Sequence, residues 1–208
     1  MKFYQEITLL PDADISLGFI WQNVYQQVHI ALVDNKVAEN QSDIAVSFPQ
    51  YGNKHFPLGK KLRLFAKTQA ALEQLNISGW LAKLADYVHI KSIAPVPEAC
   101  TYMRFSRKSV KSDARIEKDM QQKAALWAEK SQLSLEQCLA NLEQTKPQAN
   151  SPLPFVYMYS QQTKQLSPQN SSKFPLFINM ELVEAKEQGQ FDCYGLSSKT
   201  LRGVVPNF

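Results

Sequence analysis

Imidazole is the one side chain that titrates near neutral pH without help from its surroundings, so the chemistry this chain could perform begins with its three histidines. His29 stands in the run from Trp21 to Val33. There Leu17, Ile20, Trp21, Val24, Val28, Ala31 and Leu32 recur at the three-and-four spacing of one buried helical stripe. At roughly 100° per residue, His29 falls just off that stripe, on the side of Tyr25 and Gln22. Two readings are open at such a rim: a partly buried surface histidine, or an acid/base group held by the core with its ring facing out. His55 sits in a polar loop and His89 in a strand, where solvent exposure and edge packing are the ordinary expectations. Metal-assisted hydrolysis needs several converging carboxylates or histidines. No acidic cluster stands at ligand spacing near any histidine, so no metal and no cofactor is expected.

The elements that must position such a group belong to an ordinary globular chain. Its 208 residues suffice for one large or two small domains, at 44% hydrophobic and 20% charged. No apolar run reaches membrane-spanning length, and the first ten residues interleave polar side chains where a signal peptide needs a continuous apolar core. A cytoplasmic location without membrane contact is expected. Cys100, Cys138 and Cys193 are odd in number and widely spaced, which argues against a disulfide framework or a structural zinc site.

The net charge of +4 is concentrated in one place. Lysines and arginines balance acids in residues 1–100 (nine of each) and 131–208 (six of each), while residues 101–130 hold eight basic against four acidic. Arg104, Arg107, Lys108 and Lys111 come with no acid among them. A one-sign cluster of this kind is the footprint of a polyanion partner.

Along the first hundred residues the pattern predicts a strand over 2–9, a helix over 16–34 capped by Asp14 or Ser16, and a strand around Ile44, Val46 and Phe48. A strand at Leu62 and Leu64 follows, then a helix over 68–84 interrupted near Ser78 and Gly79, then a strand over 87–96. The order β-α-β-β-α-β is that of a ferredoxin-like (RRM-like) unit, a fold that does not by itself name a function. Beyond a boundary at residues 98–99, an extended segment over 101–108 leads to a helix over 112–130 that Ser112 or Asp113 would cap. A second helix begins at Ser134 with capping-box spacing to Gln137, and the strands 155–159 and 174–180 form a hairpin. A last strand is expected over 203–206. The fold class is therefore α+β: a ferredoxin-like domain over 1–98, then an α/β C-terminal domain over 99–208 with a basic helix.

Three stretches, taken in order, point to a family. They are Val28 to Val33 around His29; Val46 to Pro49 together with Leu58 to Arg63; and Cys193 to Ser197 followed by Val205, Pro206 and Phe208. With Pro154 to Val156 and Ser160 to Thr163, they resemble the CRISPR-associated endoribonuclease of subtype I-F, which processes the precursor of CRISPR guide RNA. The similarity spans nearly the whole chain.

That resemblance implies a role for each matching position. His29 falls on the catalytic histidine, Ser160 on the serine that holds the reacting ribose hydroxyl, and Tyr194 on the active-site tyrosine. Arg107 falls on the arginine that reads a guanine in the stem's major groove. Ser109 stands where the family has a glutamine, so that neighbouring groove contact is put in question. Phe174 matches an aromatic that stacks on the terminal base pair, and Gln162 lies in the matching segment after Ser160. The family's arginine-rich helix is thinned here to Arg115, Lys118, Lys123 and Lys130, interrupted by Glu117 and Asp119, so phosphate contact would weaken or shift to Arg104, Lys108 and Lys111. The implied partners are a CRISPR repeat RNA hairpin and the other subunits of the type I-F surveillance complex. The implied activity is metal-independent cleavage by 2′-OH attack at the 3′ foot of the stem. The sequence leaves open whether His29 takes or gives the proton. The alternative is a catalytically inactive subunit that caps the same complex by binding the hairpin.

Overall fold

The computed structural model describes residues 1–110, 113–145, 152–160, 173–184, 189–198 and 200–208. Its first sheet is built from β1 (Phe3–Leu9), β2 (Ala45–Ser47), β3 (Lys61–Ala66), β4 (Val88–Ile90) and β5 (Ala94–Pro95). The strands lie in the order β2-β3-β1-β4, with β5 also on β1, and every pairing is antiparallel. Helix α1 (Leu17–Asp34) connects β1 to β2, and Ser16 caps it by accepting from the amide of Phe19. The second connection is broken into α2 (Gln69–Leu75), α3 (Ile77–Trp80) and a 3-10 turn over Ala82–Tyr87.

That break differs from expectation in place and cause. It falls at Asn76, which adopts the left-handed conformation (φ 47°) that ends α2, and not at Ser78–Gly79. Asparagine tolerates this region better than most residues. Gly79 answers it, because a Cβ there would stand 2.8 Å from the Asn76 side-chain nitrogen Nδ2. The strand expected over 87–96 is likewise two strands. Between the pairs Ile7–Ile90 and Tyr4–Ala94, β1 advances three residues while its partner advances four. The extra residue makes a bulge, where the Lys91 amide donates to the Glu6 carbonyl at 2.9 Å.

The second sheet holds β6 (Thr101–Lys108), β7 (Phe155–Tyr159), β8 (Lys173–Val183) and β9 (Val205–Asn207) in the order β7-β8-β6-β9. All of its pairings are antiparallel too, so the chain is a mixed α+β protein with antiparallel sheets. Among the described residues, β6 reaches β8 only as far as the Lys108–Phe177 pair, leaving residues 173–176 of β8 as an overhang paired with β7. Pro175 lies in that overhang. The Ile178 amide points to β7, donating to the Pro154 carbonyl. Alternation therefore turns position 175 toward the open side, where proline's missing N–H interrupts no ladder bond.

The sequence boundary at 98–99 falls between the strands of the two sheets, but the compact units divide elsewhere. Residues 1–108 and 154–208 form one unit and residues 109–153 the other. The two sheets belong together because one core joins them: Ile7, Leu9, Leu62 and Leu64 of the first sheet are buried in the same cluster as Phe105, Met158, Leu176 and Ile178 of the second. Phe48 and Phe105 meet edge to face across it at 5.3 Å.

The second unit contains α4 (Asp113–Lys130) and α5 (Leu135–Glu143), which pack on one another. Ile116, Met120 and Ala124 form the buried stripe of α4, and Ser134 and Gln137 make the capping box expected for α5. Ser112, one of the two caps expected for α4, lies outside the described residues. No helix among the described residues is long and apolar enough to cross a membrane.

An ion cluster around the buried Glu6 crosses the first sheet, its Lys61 and Lys91 side chains partly exposed. Glu6, 2% exposed, accepts from Lys61 Nζ at 3.0 Å, Arg63 Nε at 2.9 Å and Lys91 Nζ at 2.9 Å. Arg63 also donates through Nη1 to the main-chain oxygen of Phe208 at 2.7 Å and covers the Phe208 ring at 4.2 Å. Burial alone would raise the Glu6 carboxyl, but bonds from Lys91, Lys61 and Arg63 outweigh it and bring the group from 4.5 to about 2. A depressed carboxylate contributes stability that is fully present above about pH 4.5 and is lost as pH falls toward 2. Urea denaturation between pH 7 and pH 3 is expected to show this loss, and Glu6→Gln to flatten it. Arg63→Ala is expected to cost about 3 kcal/mol at pH 7, because it removes one partner of a buried charge.

Candidate active site

Three side chains on one turn of α1 reach main-chain atoms far along the sequence. Tyr25, fully buried, donates its hydroxyl to the Tyr194 carbonyl at 2.9 Å. Gln26, also buried, accepts from the Tyr159 amide at 2.9 Å and donates to the Tyr159 carbonyl at 3.4 Å. His29, half-buried, places Nδ1 2.8 Å from the Cys193 carbonyl oxygen. Since a carbonyl only accepts, Nδ1 carries the proton and donates it. The neutral ring then keeps its lone pair on Nε2.

The segment that receives these bonds is a tight loop held by its own side chains. Asp192 Oδ1 accepts from the amides of Tyr194 at 2.9 Å and Leu196 at 3.0 Å. Gly195 turns the chain at φ +72°, and a Cβ there would collide with the side chain of Val46. The same contact lets the Val46 amide donate to the Gly195 carbonyl at 2.8 Å, so β2 fixes the loop from one side. β6 fixes it from the other, where the Phe105 carbonyl accepts from the Ser197 amide at 2.7 Å.

With the loop in place, Tyr194 lies flat on His29, ring centroids 4.2 Å apart and planes 5° from parallel. The Arg107 guanidinium stands 5.6 Å from the Tyr194 ring and 5.6 Å from the Phe174 ring. The result is a row of Phe174, Arg107, Tyr194 and His29. β alternation builds it: Arg107 shares the core-side face of β6 with Phe105, and Phe174 shares that of β8 with Leu176 and Ile178. Ser160 follows directly on Tyr159, whose main chain Gln26 holds on both sides, and it is half-buried.

Electrostatics favour a neutral imidazole. Burial pushes His29 below its usual 6.5, outweighing the upward pull of the Cys193 hydrogen bond. Burial also raises the Tyr194 phenol, against the nearby Arg107 charge. The Asp192 carboxyl is raised by burial to about 6, despite the two amide bonds and Arg107 that favour its charged form.

The basic residues of the charge cluster do not share one surface. Arg104 and Lys108 project from the opposite face of β6 to Arg107, and Arg104 lies 3.6 Å from Glu181. Ser109 is exposed just beyond β6 and belongs to the second unit, as do Arg115, Lys118 and Lys123 on α4. Lys118 and Lys123 are exposed, and Arg115 pairs with Asp119 at 3.1 Å. Lys111 and Gln162 lie outside the described residues. His55 and His89 are exposed. Among the described residues, no three histidine, cysteine or acidic side chains gather as a metal site would need. Sequence reasoning missed Gln26 and Asp192. The signal for Gln26 was a polar residue within the buried arc of α1; for Asp192 it was an Asp two residues before a Tyr-Gly turn.

Over residues 4–208 the chain matches the family described as CRISPR-associated protein (Cas_Csy4), and it belongs to that family, the one its motifs resembled. Two curated relatives carry the name CRISPR-associated endonuclease Cas6/Csy4. The one from Escherichia coli (strain UTI89 / UPEC) is 33% identical over 199 residues, covering 95% of this chain and 96% of the relative. The one from Pseudomonas aeruginosa (strain UCBPP-PA14) is 31% identical over 210 residues, covering 100% of each. A solved structure titled "An RAMP protein binding different RNA substrates" aligns over 100% of both chains at 10% identity, with a TM-score of 0.36, too low to bear on fold or function.

The Gln26 clasp is expected to be energetically visible. Gln26→Leu removes the partner of the Tyr159 amide, so stability in urea should fall by about 1–3 kcal/mol. Amide exchange at Tyr159 should accelerate well beyond that of its β7 neighbours. Unchanged exchange would mean that the clasp does not hold the strand end.

Proposed function

We propose that this chain is a metal-independent endoribonuclease that cuts the CRISPR repeat hairpin of a guide-RNA precursor at the 3′ foot of the stem. The observation that carries this reading is the His29–Cys193 hydrogen bond. It commits the proton to Nδ1 and leaves Nε2 as a base, in a ring that burial keeps neutral at pH 7. RNA supplies its own nucleophile. His29 Nε2 takes the proton of the ribose 2′-OH, the 2′ oxygen attacks phosphorus, the bond to the 5′ oxygen breaks, and that oxygen is protonated from solvent while the imidazolium returns its proton to solvent. The products are a 2′,3′-cyclic phosphate and a 5′-hydroxyl.

The other site residues fit subordinate roles. Ser160, set at the end of the clasped strand, holds the 2′-OH. Tyr194 fixes the plane of the imidazole by stacking on it. Arg107 reads a base edge near the foot of the stem, and Phe174 beside it stacks on the terminal pair. Lys118 and Lys123, exposed on α4, contribute phosphate contacts together with Arg115, and these contacts keep the product hairpin bound. The enzyme then remains as the 3′ cap of a type I-F effector complex with its partner subunits. Under this reading the first sheet and its helices form a ferredoxin-like domain, supported by the strand order β2-β3-β1-β4. Residues 99–208 form the hairpin-binding half.

Incubating a repeat hairpin with the protein in EDTA tests the reading, since intact RNA would sink it. His29→Ala is expected to slow cleavage at least about 10²-fold while leaving hairpin affinity nearly unchanged. A 2′-deoxy substitution at the cut nucleotide should block cleavage equally. The single-turnover rate should rise with pH through a value below 6.5 and be flat above pH 7, because the base form is already complete there. A hairpin that binds tightly and stays uncut would instead identify an inactive cap.

A further inference from the structure

The face of the second sheet turned away from the core carries a surface that the proposed cleavage does not use. Strand alternation places Phe155, Tyr157 and Tyr159 of β7 on it, beside Lys173, Phe177 and Asn179 of β8 and Lys108 of β6. The opposite face buries Val156, Met158, Leu176 and Ile178, so the outward position of the aromatics is not needed for the core. Phe155 is 40% exposed and Tyr157 42%. Their rings meet edge-on at 5.1 Å, and Phe155 also touches Phe177 at 5.3 Å. The cations surround them. Lys173 Nζ stands 4.2 Å over the Tyr157 ring, and Lys108 pairs across the ladder with Phe177. Farther along the same face, Arg104, Ser106, Ser198 and Arg202 line a cavity of about 230 Å³ with one acid, Glu181.

We propose that this face is a stacking platform for unpaired RNA, specifically the single-stranded repeat flank that continues from the foot of the hairpin. Exposed aromatics offer π-faces to bases of any sequence, and the basic and hydroxyl groups around them suit the phosphates between those bases. Among the described residues named on this face, four cations (Lys108, Lys173, Arg104 and Arg202) stand against the acid Glu181, which suits the face to a polyanion. Its connection to the site is direct. Lys108 follows Arg107 and Lys173 precedes Phe174, so adjacent residues serve opposite faces at one end of the sheet. A strand leaving the row of Phe174, Arg107 and Tyr194 can cross the β8 overhang onto the platform. This proposal rests on the cleavage reading for the identity of its RNA.

The test measures binding of four RNAs, each with a 2′-deoxy nucleotide at the cut: the bare hairpin, the hairpin with a 5′ flank, with a 3′ flank, and with both. One flank is expected to tighten wild-type binding about ten-fold, which identifies the side that docks. The double variant Phe155→Ala, Tyr157→Ala should lose most of that gain while binding the bare hairpin as wild type does, and while cutting an all-ribose hairpin with one nucleotide beyond the foot at the wild-type rate. The paired leucine variants, which keep apolar bulk on the strand without aromatic rings, should lose it as well. A flank that adds nothing, or a gain that persists in both variants, overturns the platform. Wild-type protein that ignores the bare hairpin but binds the flanked hairpins through Phe155 and Tyr157 overturns the cleavage reading and upholds the platform as a site for unpaired RNA.

Discussion

One turn of α1 holds the far end of the chain by its main-chain atoms. Tyr25, Gln26 and His29 bond to partners 169, 133 and 164 residues away. Main-chain partners matter here, because their geometry is set by the fold of the receiving segment and does not depend on a flexible side chain. The Cys193 carbonyl can orient an imidazole only because Asp192, Gly195 and the Val46 contact have already fixed the loop that bears it. A candidate base on a rigid helix, steered by a rigid carbonyl, requires little rearrangement when substrate arrives.

The two sheets share this dependence. Phe105, Met158 and Leu176 join the core of the first sheet, so the strands that carry Arg107, Phe174 and Ser160 cannot shift without opening that core. The Glu6–Arg63–Phe208 cluster ties the same halves at another point, through charge and a cation over an aromatic ring. Burial of Glu6 is tolerated because three donors surround it; with fewer, desolvation would dominate.

Much of this was legible in the sequence. Periodicity located α1 and its cap, the strands and the β7–β8 hairpin, and it placed His29 at the rim of the helix. What it could not supply were the long-range partners. The stripe reading assigned α1 one buried face, whereas the Tyr194 loop buries Tyr25 and the end of β7 buries Gln26 beside it. Local pattern also ran Arg104, Arg107 and Lys108 together as one cluster, although strand alternation sends the middle one to the opposite side. The interruption of the second helix was legible but placed two to three residues late, because it rests on the left-handed conformation of Asn76 alone. The bulge at Lys91 escaped because it depends on a register that only the assembled sheet imposes.

The β8 overhang has a consequence for the behaviour of the protein in concentrated solution. An unpaired strand edge ordinarily invites a strand from another molecule, the first step toward fibrous association. Pro175 occupies the middle of that open border, and its ring nitrogen has no hydrogen to offer an incoming carbonyl, while Lys173 sets a charge at the tip. A nucleic acid meeting this border needs no ladder of amide donors, whereas an invading polypeptide does. Among the described residues, the edge is therefore a poor template for an invading polypeptide strand.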